Sequence, residues 1–461
     1  MKSNSLIEID RAHLIHPVSA YRAHERKGAT VLTSGDGMYL TDSQGHRLLD
    51  AFAGLWCVNI GYGQESVVEA AAEQMRRLPY ATGYFGFANE PAIRLAEKLV
   101  ELSPPGLDRV YFSLGGSDAI DGAVRFIVHY WNARGLPSKK QMIALDKGYH
   151  GSSTTGAGLT GLPAFHRQFD VPLAWQHHIP APYAYRDPQG RDGEALIAAS
   201  VAELRAKVEA LGVDNVAAFF AEPIQGSGGV VVPPVGWLRA MRETCTELDI
   251  LFVADEVITG FGRTGPMFAC EAEGVTPDLM TLAKGLTAGY APMGAVLMTE
   301  AVYATIADGP DNHLPIGHGQ TYSGHPVSAA VGLEVLRLYT EGGILANGQA
   351  RSVRFGERLG ELAAHPLVGD VRQRGLLAAI ELVADKSTKA RFDPALGLAD
   401  RLTATAWSNG LIFRAFADGS IGLAPALSCS VDDMEVLLAR LTRTLDAVLD
   451  QPDVRSAIVD P

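Results

Sequence analysis

Two charged residues of opposite sign follow two short apolar runs near the middle of the chain. The run Ile250–Ala254 leads into Asp255, and the run Leu279–Ala283 leads into Lys284. Each run is too short for a stable helix, and such runs are typical of buried strands in a parallel sheet. Ligands of open α/β sheets bind beyond the carboxyl ends of the strands. The sequence therefore predicts one crevice that holds both a carboxylate and an amine.

An amine and a carboxylate in one crevice suit the cofactor pyridoxal phosphate (PLP). Its aldehyde forms an imine with an amine, here Lys284, and its ring nitrogen stays protonated beside a carboxylate, here Asp255. At an effective dielectric of about 20, opposite charges ~4 Å apart attract by ~4 kcal/mol. That energy corresponds to about three pKa units, enough to keep the ring protonated. An ordinary strand-end aspartate and a solvated lysine would give the same pattern, so the hypothesis depends on further residues.

Composition restricts the partners of the chain. Of 461 residues, 39 are basic and 52 acidic, which gives a net charge of −13. An acidic balance disfavours nucleic acid and anionic membranes as partners. The hydrophobic fraction of 47% is ordinary for a globular protein.

Cysteine usage and the N-terminus indicate a cytoplasmic location. The four cysteines, Cys57, Cys245, Cys270 and Cys429, form no C-x-x-C pair, which fits a reducing compartment. No apolar run approaches the length of about 18 residues that a membrane span needs. The opening MKSNSLIEIDR carries acids where a signal peptide needs an apolar core.

Small residues follow another predicted strand and could bind a phosphate. The strand Arg109–Ser113 is followed by Gly115, Gly116 and Ser117 at the start of a helix that runs to about Arg134. Small residues at a helix start let a phosphate approach the free backbone amides, and Ser117 adds a hydroxyl. A plain capped turn has the same composition, so this segment alone is a weak indicator.

Two more predicted strands end in side chains that could serve the same crevice. The strand Gln141–Leu145 is followed by Tyr149 and His150, and the strand Val216–Ala221 is followed directly by Glu222. Tyr149 is the better candidate for stacking on a planar ring. His150 could equally be a loop histidine that is satisfied by local hydrogen bonds.

Aromatic and basic residues outside these strands have two interpretations each. The connector between two helices, residues 78–88, holds aromatics that suit either an active-site wall or a subunit interface. Trp56 could pack in the core or line a pocket. Arg414 could be a salt-bridged strand-end residue or a receptor for a substrate carboxylate, because its donors form a planar fork.

Metal and dinucleotide sites are both disfavoured. No carboxylate or cysteine completes a ligand set with His313, His318 and His325, so we expect no metal. The segment Gly260–Gly265 matches G-x-G-x-x-G and makes a nicotinamide-dependent oxidoreductase a competing hypothesis. However, five residues separate it from the strand, and Pro266 rather than a long apolar helix follows.

Several linked motifs resemble one enzyme family. The segments ADEVITGFGRTG, LAKGLTAGYAPMGA, AEPIQGSGGV, GYHG and GHGQTYSGHP occur in the order typical of class III PLP-dependent aminotransferases, which have fold type I. Within that class, GLWCVNIGYG and the late Arg414 most resemble the ω-amino acid/amine:pyruvate transaminases. The resemblance extends from about residue 10 to 450.

The resemblance implies roles around the cofactor ring. Lys284 matches the Schiff-base lysine, and Asp255 matches the partner of the pyridine nitrogen. Val257 and Tyr149 match residues on the two faces of the ring. Glu222 matches a carboxylate that helps to position the site.

Phosphate binding is the part of the family pattern from which this chain departs. The resemblance implies that Gly116 and Ser117 hold the phosphate and that Thr321 reaches it across a dimer interface. The family usually has Asn-Ser-Gly-Ser-Glu where this chain has Leu114-Gly-Gly-Ser-Asp118, so one hydroxyl is missing. Contacts there are expected to rely more on backbone amides.

The resemblance also implies a substrate pocket. The positions that match pocket-lining residues of the family are Trp56, Tyr84, Phe85, Ser227 and Arg414. Arg414 matches a mobile arginine that swings in to bind a substrate carboxylate and out for an uncharged substituent. Residues 82–87 are less typical of the family, so the sequence leaves the size of the pocket open.

The expected fold is α/β, with a large PLP-binding domain that has a mostly parallel central sheet flanked by helices. Residues 61–330 are assigned to that domain. Residues 1–60 and 331–461 are expected to form a smaller α+β domain, and residues 152–195 read as an irregular excursion. The chain is expected to form a homodimer with shared active sites, possibly a tetramer.

The expected activity is a ping-pong transamination that moves an amino group from an ω-amino acid, diamine or amine to a keto acid such as pyruvate. Another PLP reaction on the same fold, aminomutation or decarboxylation, remains an alternative, as does the nicotinamide-dependent oxidoreductase. A catalytically silent scaffold is the least favoured alternative.

Overall fold

A computed structural model describes residues 3–459 of the chain. Residues 1–2 of the predicted N-terminal segment and residues 460–461 of the predicted C-terminal segment lie outside the described residues. The strands are β1 (Leu32–Asp36), β2 (Tyr39–Asp42), β3 (Arg47–Asp50), β4 (Leu107–Ser113), β5 (Gln141–Leu145), β6 (Gln176–Ile179), β7 (Val216–Ala221), β8 (Leu251–Asp255), β9 (Leu279–Leu282), β10 (Gly294–Thr299), β11 (Val368–Arg374), β12 (Leu377–Leu382), β13 (Leu411–Ile412), β14 (Arg414–Ala415) and β15 (Ile421–Leu423).

The α-helices lie before, between and after these strands. They are α1 (Ser3–His13), α2 (Tyr21–Lys27), α3 (Ala53–Trp56), α4 (Glu65–Arg77), α5 (Glu90–Leu102), α6 (Gly116–Ala133), α7 (Thr154–Leu159), α8 (Gly193–Leu211), α9 (Trp237–Glu247), α10 (Glu300–Ala307), α11 (Pro326–Thr340), α12 (Ile344–Glu361), α13 (Leu398–Ser408), α14 (Val431–Leu449) and α15 (Pro452–Ser456).

A seven-stranded sheet forms the centre of the described chain, in the order β4-β10-β9-β8-β7-β5-β6. β10 runs antiparallel to both of its neighbours, and the other pairings are parallel. Both faces are buried, which is why β7 reads Val-Ala-Ala-Phe-Phe-Ala without a polar residue. The predicted α/β fold with a mostly parallel central sheet is confirmed.

Helices cover both faces of this sheet. On one face α6 buries Ile120, Ile127 and Trp131 and packs on strands β4, β7, β9 and β10. On the other, α8 and α9 bury Leu204 and Trp237, with α8 next to β6 and α9 next to β8. Full burial of an apolar side chain contributes about 1.5–3 kcal/mol, so these two layers fix the sheet and the strand ends that it presents.

Two smaller sheets join the ends of the chain. One has the order β1-β2-β3-β13, where β13 from the C-terminal segment pairs in parallel with β3 from the N-terminal segment. The other has the order β11-β12-β15-β14. The antiparallel strands β2 and β3 form a hairpin around residues 42–45. Both ends therefore contribute to the smaller α+β part, while the domain boundaries at residues 60 and 330 stay a prediction.

Two strands differ from the sequence-based expectations. Residues 152–195 are not wholly irregular, because β6 adds an edge strand to the central sheet. Its sequence, Gln-His-His-Ile, lacks the apolar run of a buried strand, and an edge position tolerates polar residues. β11 was also missed, because its partly exposed sequence, Val-Gly-Asp-Val-Arg-Gln-Arg, carries three charges.

Within residues 3–459 no helix is both long and apolar enough to cross a membrane. The cysteines at positions 57, 245, 270 and 429 are all free thiols.

Candidate active site

Three charged side chains stand at the carboxyl ends of three neighbouring strands. Asp255 is the last residue of β8, Glu222 follows β7, and Lys284 lies just beyond β9. The strand register places Asp255 opposite Thr281, three residues before Lys284. Parallel pairing thus brings together the carboxylate and the amine that the sequence analysis singled out.

Three hydrogen bonds hold the buried Asp255 carboxylate. Oδ2 lies 2.8 Å from Nδ1 of His150, while the hydroxyl of Thr281 and the backbone N–H of Val257 donate to Oδ1, each at 3.1 Å. Burial opposes the charged imidazolium, but the hydrogen bond and charge of Asp255 outweigh it and raise the pKa of His150. His150 is therefore placed to orient the Asp255 carboxylate, a role that neither of its two sequence-based interpretations included.

Lys284 presents an amine without a hydrogen-bond partner among residues 3–459. Its backbone has φ = 41°, a strained conformation of the kind that clusters at functional sites. Its Nζ lies 5.6 Å from the centre of a ring of Trp56. Burial lowers the pKa of Lys284, although the charges of Asp255 and Glu222 oppose that effect. A desolvated, unpaired amine with a lowered pKa is a competent nucleophile and base.

Glu222 is buried beside this pair and is bound to the backbone. Its two carboxyl oxygens accept N–H groups from Tyr149 at 2.8 Å and from Gly226 at 3.0 Å. Burial raises the pKa of Glu222 to about 7, and the charge of Asp255 acts in the same direction while His150 opposes it. The carboxyl group also fixes the loop that carries Tyr149 and the loop that carries Ser227.

The N-terminus of α6 approaches the same strand ends. A Cβ at Gly116 would lie only 3.1 Å from Cγ1 of Val257, so this position needs glycine for close packing. At Gly115 a Cβ would meet nothing within 4 Å, so open space adjoins the helix start. The Ser117 hydroxyl accepts the N–H of Ser152 at 3.0 Å, which ties the helix start to the loop after Tyr149.

These groups fit the cofactor that the sequence analysis inferred. An unpaired amine, a carboxylate in a fixed orientation and a helix N-terminus with adjacent open space are the parts that an aldehyde, a ring nitrogen and a phosphate require. Val257 contacts both the Asp255 carboxyl and Gly116, so it lies between the two ends of the proposed cofactor site.

Trp56 is held near Lys284 by a strained turn. Ala53, Gly54 and Trp56 all have positive φ, and the carboxylate of Asp50 accepts the N–H groups of Phe52 and Gly54 at 2.9 and 2.7 Å. The indole packs edge-on against Phe52 and is buried, with its Nε1 unpaired among residues 3–459. Trp56 thus packs in the core and also lies against the amine of Lys284.

Arg414 and Ser227 are two further residues that the sequence analysis assigned to the substrate pocket. The Arg414 guanidinium is exposed, 5.6 Å from the ring centre of Phe416, and makes no hydrogen bond or ion pair within residues 3–459. Phe416 shares a buried apolar cluster with Trp56. Of the two interpretations of Arg414, the salt-bridged one finds no partner within the described residues, and the role of carboxylate receptor stays a prediction. Ser227 follows Gly226, whose N–H donates to Glu222.

Three predicted site residues, Tyr84, Phe85 and Thr321, lie together in a different, exposed region. The hydroxyl of Tyr80 donates to the carbonyl of Thr321 at 2.9 Å, and the Tyr84 hydroxyl lies against Gly319. We call the exposed set the aromatic face; it comprises Tyr80, Tyr84, Phe85, Phe87 and Tyr322. Phe85, which is 91% exposed, and its neighbours meet no covering surface within the described chain.

The glycine-rich segment 260–265 has a structural role. It consists of turns and precedes a 3₁₀ helix, Ala269–Glu273, rather than a long helix. Arg263 is fully buried and donates to the carbonyls of Leu376 and Pro425. This segment joins the central sheet to the smaller part of the protein, so the dinucleotide-binding hypothesis loses its main support.

The fold and these groups define an α/β enzyme with a lysine and an aspartate at adjacent strand ends. A family model for class-III aminotransferases matches residues 20–445. The chain belongs to this family, whose members are PLP-dependent in general. It is thus an aminotransferase, as the sequence motifs predicted.

The relatives are similar over nearly their full lengths. A putrescine–pyruvate aminotransferase of Pseudomonas aeruginosa is 42% identical over 440 residues, which cover 95% of each chain. Among solved structures, the (S)-enantioselective ω-transaminase of Thermomicrobium roseum is 39% identical, with a TM-score of 0.94 over 97% of this chain and 99% of that one. The ω-transaminase of Pseudomonas jessenii in complex with PMP is 36% identical, with a TM-score of 0.94 over 96% and 98%.

Proposed function

We propose that the protein is a PLP-dependent ω-transaminase that moves an amino group from an ω-amino acid, diamine or simple amine to a keto acid such as pyruvate. The observation that carries this proposal is the unpaired, desolvated amine of Lys284 at the strand end next to the buried Asp255. The similarity to a putrescine–pyruvate aminotransferase supports a diamine as donor and pyruvate as acceptor.

The chain's own residues divide the work. PLP, when bound, supplies an aldehyde that accepts an amine and a protonated ring that withdraws electrons. Asp255, oriented by His150 and Thr281, keeps the ring nitrogen protonated. The amine of Lys284 would move a proton at the donor's carbon, and its lowered pKa suits it to act as the base.

The remaining contacts position the cofactor. The backbone amides at Gly116 and Ser117 would bind the phosphate, and Val257 and Tyr149 would hold the ring. Glu222 helps to position the site by fixing the backbone N–H of Tyr149, as the 2.8 Å hydrogen bond between them supports. Trp56 and Ser227 would line the substrate pocket, and Tyr84 and Phe85 would complete it where two chains meet in the dimer proposed below.

We further propose that the enzyme is a homodimer with shared sites, possibly a dimer of dimers. The exposed aromatic face supports this assembly, because contiguous apolar surface of this kind is typical of interfaces. In the dimer, Thr321 of each chain contributes to the phosphate site of the other. The four free thiols and the net charge of −13, which disfavours binding to anionic membranes, support a cytoplasmic location.

The activity is tested with purified protein, PLP, putrescine and pyruvate. We expect a visible absorption band from the bound cofactor and formation of alanine. Lys284→Ala should lose both the band and at least about a hundredfold of the rate, which is the lower part of the range for a proton-transfer group. Lys139→Ala, a lysine at the far end of the sheet, is the matched control and should keep both. A colourless protein that binds no PLP would end the proposal.

The free guanidinium of Arg414 gives a second test. We expect Arg414→Ala to raise the KM for pyruvate by about ten- to a hundredfold, because a charged hydrogen bond to a carboxylate contributes about 1.5–3 kcal/mol. The KM for an uncharged amine donor should change little. Equal losses for both substrates would reject the role of Arg414 as a carboxylate receptor.

Formation of alanine distinguishes a transaminase from the other PLP-dependent reactions that this fold could support. An aminomutase or a decarboxylase would show the visible band, yet it would form no alanine from pyruvate. An oxidoreductase would bind nicotinamide dinucleotide and show no band with PLP.

A further inference from the structure

A carboxylate and two imidazoles meet in the N-terminal part of the chain, away from the active site. Asp10 lies in α1, His24 lies in α2, and His16 lies in the loop that connects these helices. Nε2 of His16 is 2.6 Å from one carboxyl oxygen of Asp10, and Nε2 of His24 is 2.8 Å from the other. The three ligand atoms lie within 4.8 Å of one another.

The two helices that carry this cluster have little else to hold them together. No residue from 6 to 30 is buried, and α1 and α2 comprise 11 and 7 residues. Helices of that length are marginal in water unless tertiary contacts stabilise them. Ile7 packs close to Gly28, where an added Cβ would lie 2.9 Å from Cγ2 of Ile7, and the guanidinium of Arg11 donates to the carbonyl of Arg26 at 3.2 Å. Structural metal ions commonly replace a missing core in such small units.

The chemistry of the cluster suits a divalent transition metal. Zn²⁺ binds neutral imidazole nitrogens and carboxylate oxygens at about 2.0–2.2 Å, often with three protein ligands and one water. Ligand atoms around a tetrahedral ion are about 3.3 Å apart by the same geometry. The two contacts of 2.6 and 2.8 Å would therefore open by less than about 1 Å. The imidazole rings already lie side by side, with centroids 4.2 Å apart.

We propose that Asp10, His16 and His24 form a binding site for a divalent transition metal, with Zn²⁺ as the preferred ion, that cross-links α1 to α2. Each imidazole then carries its proton on Nδ1 and offers Nε2 to the metal. A water completes the coordination, since all three side chains are only partly buried. The sequence analysis considered only His313, His318 and His325, so this site departs from its expectation of no metal.

The direct test is Zn²⁺ binding by the untagged full-length holoenzyme, measured by competition with a chromophoric chelator. We expect one Zn²⁺ per chain, and an affinity that falls by at least about a hundredfold in His24→Gln, because even partners outside the ligand set typically change affinity 10- to 100-fold. The matched control is His46→Gln, since His46 lies 2.8 Å from Asp42 in an isolated histidine–aspartate pair without a third ligand. That variant should bind as the wild type does.

Hydrogen exchange of residues 6–28 distinguishes a metal cross-link between α1 and α2 from stabilisation of these helices by direct hydrogen bonds or by a second copy of the chain. We expect Zn²⁺ to slow exchange there in the wild type and in His46→Gln, but not in His24→Gln. Equal Zn²⁺ affinity in wild type and His24→Gln overturns the proposal. Protection that is independent of Zn²⁺ also overturns it, because the direct hydrogen bonds or a second copy would then suffice. The visible band of the cofactor should persist after chelation, so failure here leaves the proposed transamination untouched.

Discussion

The strand-end site and the aromatic face both carry side chains that were assigned to the same predicted active site. Asp255 and Glu222 at the strand ends are buried, whereas the residues of the aromatic face are exposed to solvent. The buried Asp255 carboxylate accepts hydrogen bonds from Thr281 and Val257 and lies 2.8 Å from Nδ1 of His150. In the aromatic face the Tyr80 hydroxyl donates to the carbonyl of Thr321, yet the rings are exposed. The difference teaches that the contacts that orient Asp255 lie within the described chain, whereas the proposed substrate pocket would need a second surface to cover these rings.

The largest effect should come from removing the charge of Asp255. Asp255→Asn takes away an attraction of ~4 kcal/mol on the protonated ring, so we expect about a thousandfold lower kcat. The spectrum of the bound cofactor should shift as well. Glu256→Gln is the matched control, because the neighbouring Glu256 is also buried but binds the N–H groups of Ala269 and Cys270 instead. Similar losses of kcat in both variants would place the importance of Asp255 in folding rather than chemistry.

A smaller effect should appear in the pH dependence of stability. Burial raises the pKa of Glu222 to about 7, above that of the unfolded chain, so its ionisation increasingly opposes folding as the pH rises from about 4.5 to 7. Glu222→Gln removes this penalty, which reaches up to about 3 kcal/mol at 1.36 kcal/mol per pH unit.

The measurement is denaturant unfolding of the apo forms at pH 5 and pH 8. The stability of Glu222→Gln relative to the wild type should be higher at pH 8 than at pH 5. A difference between variant and wild type that does not change with pH would show that Glu222 does not titrate in this range.

The aromatic face provides the smallest expected change. Phe85→Ala should weaken self-association by about tenfold or more, because deleting an apolar anchor at an interface typically costs over 1 kcal/mol. Val353→Ala is the control, since Val353 is also exposed, at 65%, but lies on α12 away from this face. Sedimentation analysis over a range of concentrations gives the dissociation constants. Equal constants for the two variants would show that this face is not the interface.

The sequence predicted the strand-end site well, for a physical reason. Buried parallel strands read as short apolar runs with charges after them, so β5 and β7 match their predicted bounds and Asp255 and Lys284 are placed correctly. Strands with mixed polarity, such as β6, gave no such signal. Such a segment becomes a strand because it pairs with the edge of an existing sheet. That tertiary contact cannot be read from the local sequence pattern.

Side-chain partners were harder to predict than strand ends. The contact of His150 with Asp255 depends on how the loop after β5 turns back over β7, although a histidine beyond a strand's carboxyl end was a usable signal. The cluster of Asp10, His16 and His24 depends on the turn between α1 and α2, and its spacing matches no familiar ligand pattern. In both cases loop geometry, rather than composition, decides which side chains meet.

The central claim is that the amine of Lys284 binds the cofactor whose ring nitrogen faces Asp255. Borohydride reduction of the PLP-loaded protein fixes the bond between lysine and cofactor, and peptide mass spectrometry then locates it. We expect the phosphopyridoxyl label on Lys284 alone among the lysines of the chain. A label on another lysine, or no label after reduction, would contradict the account.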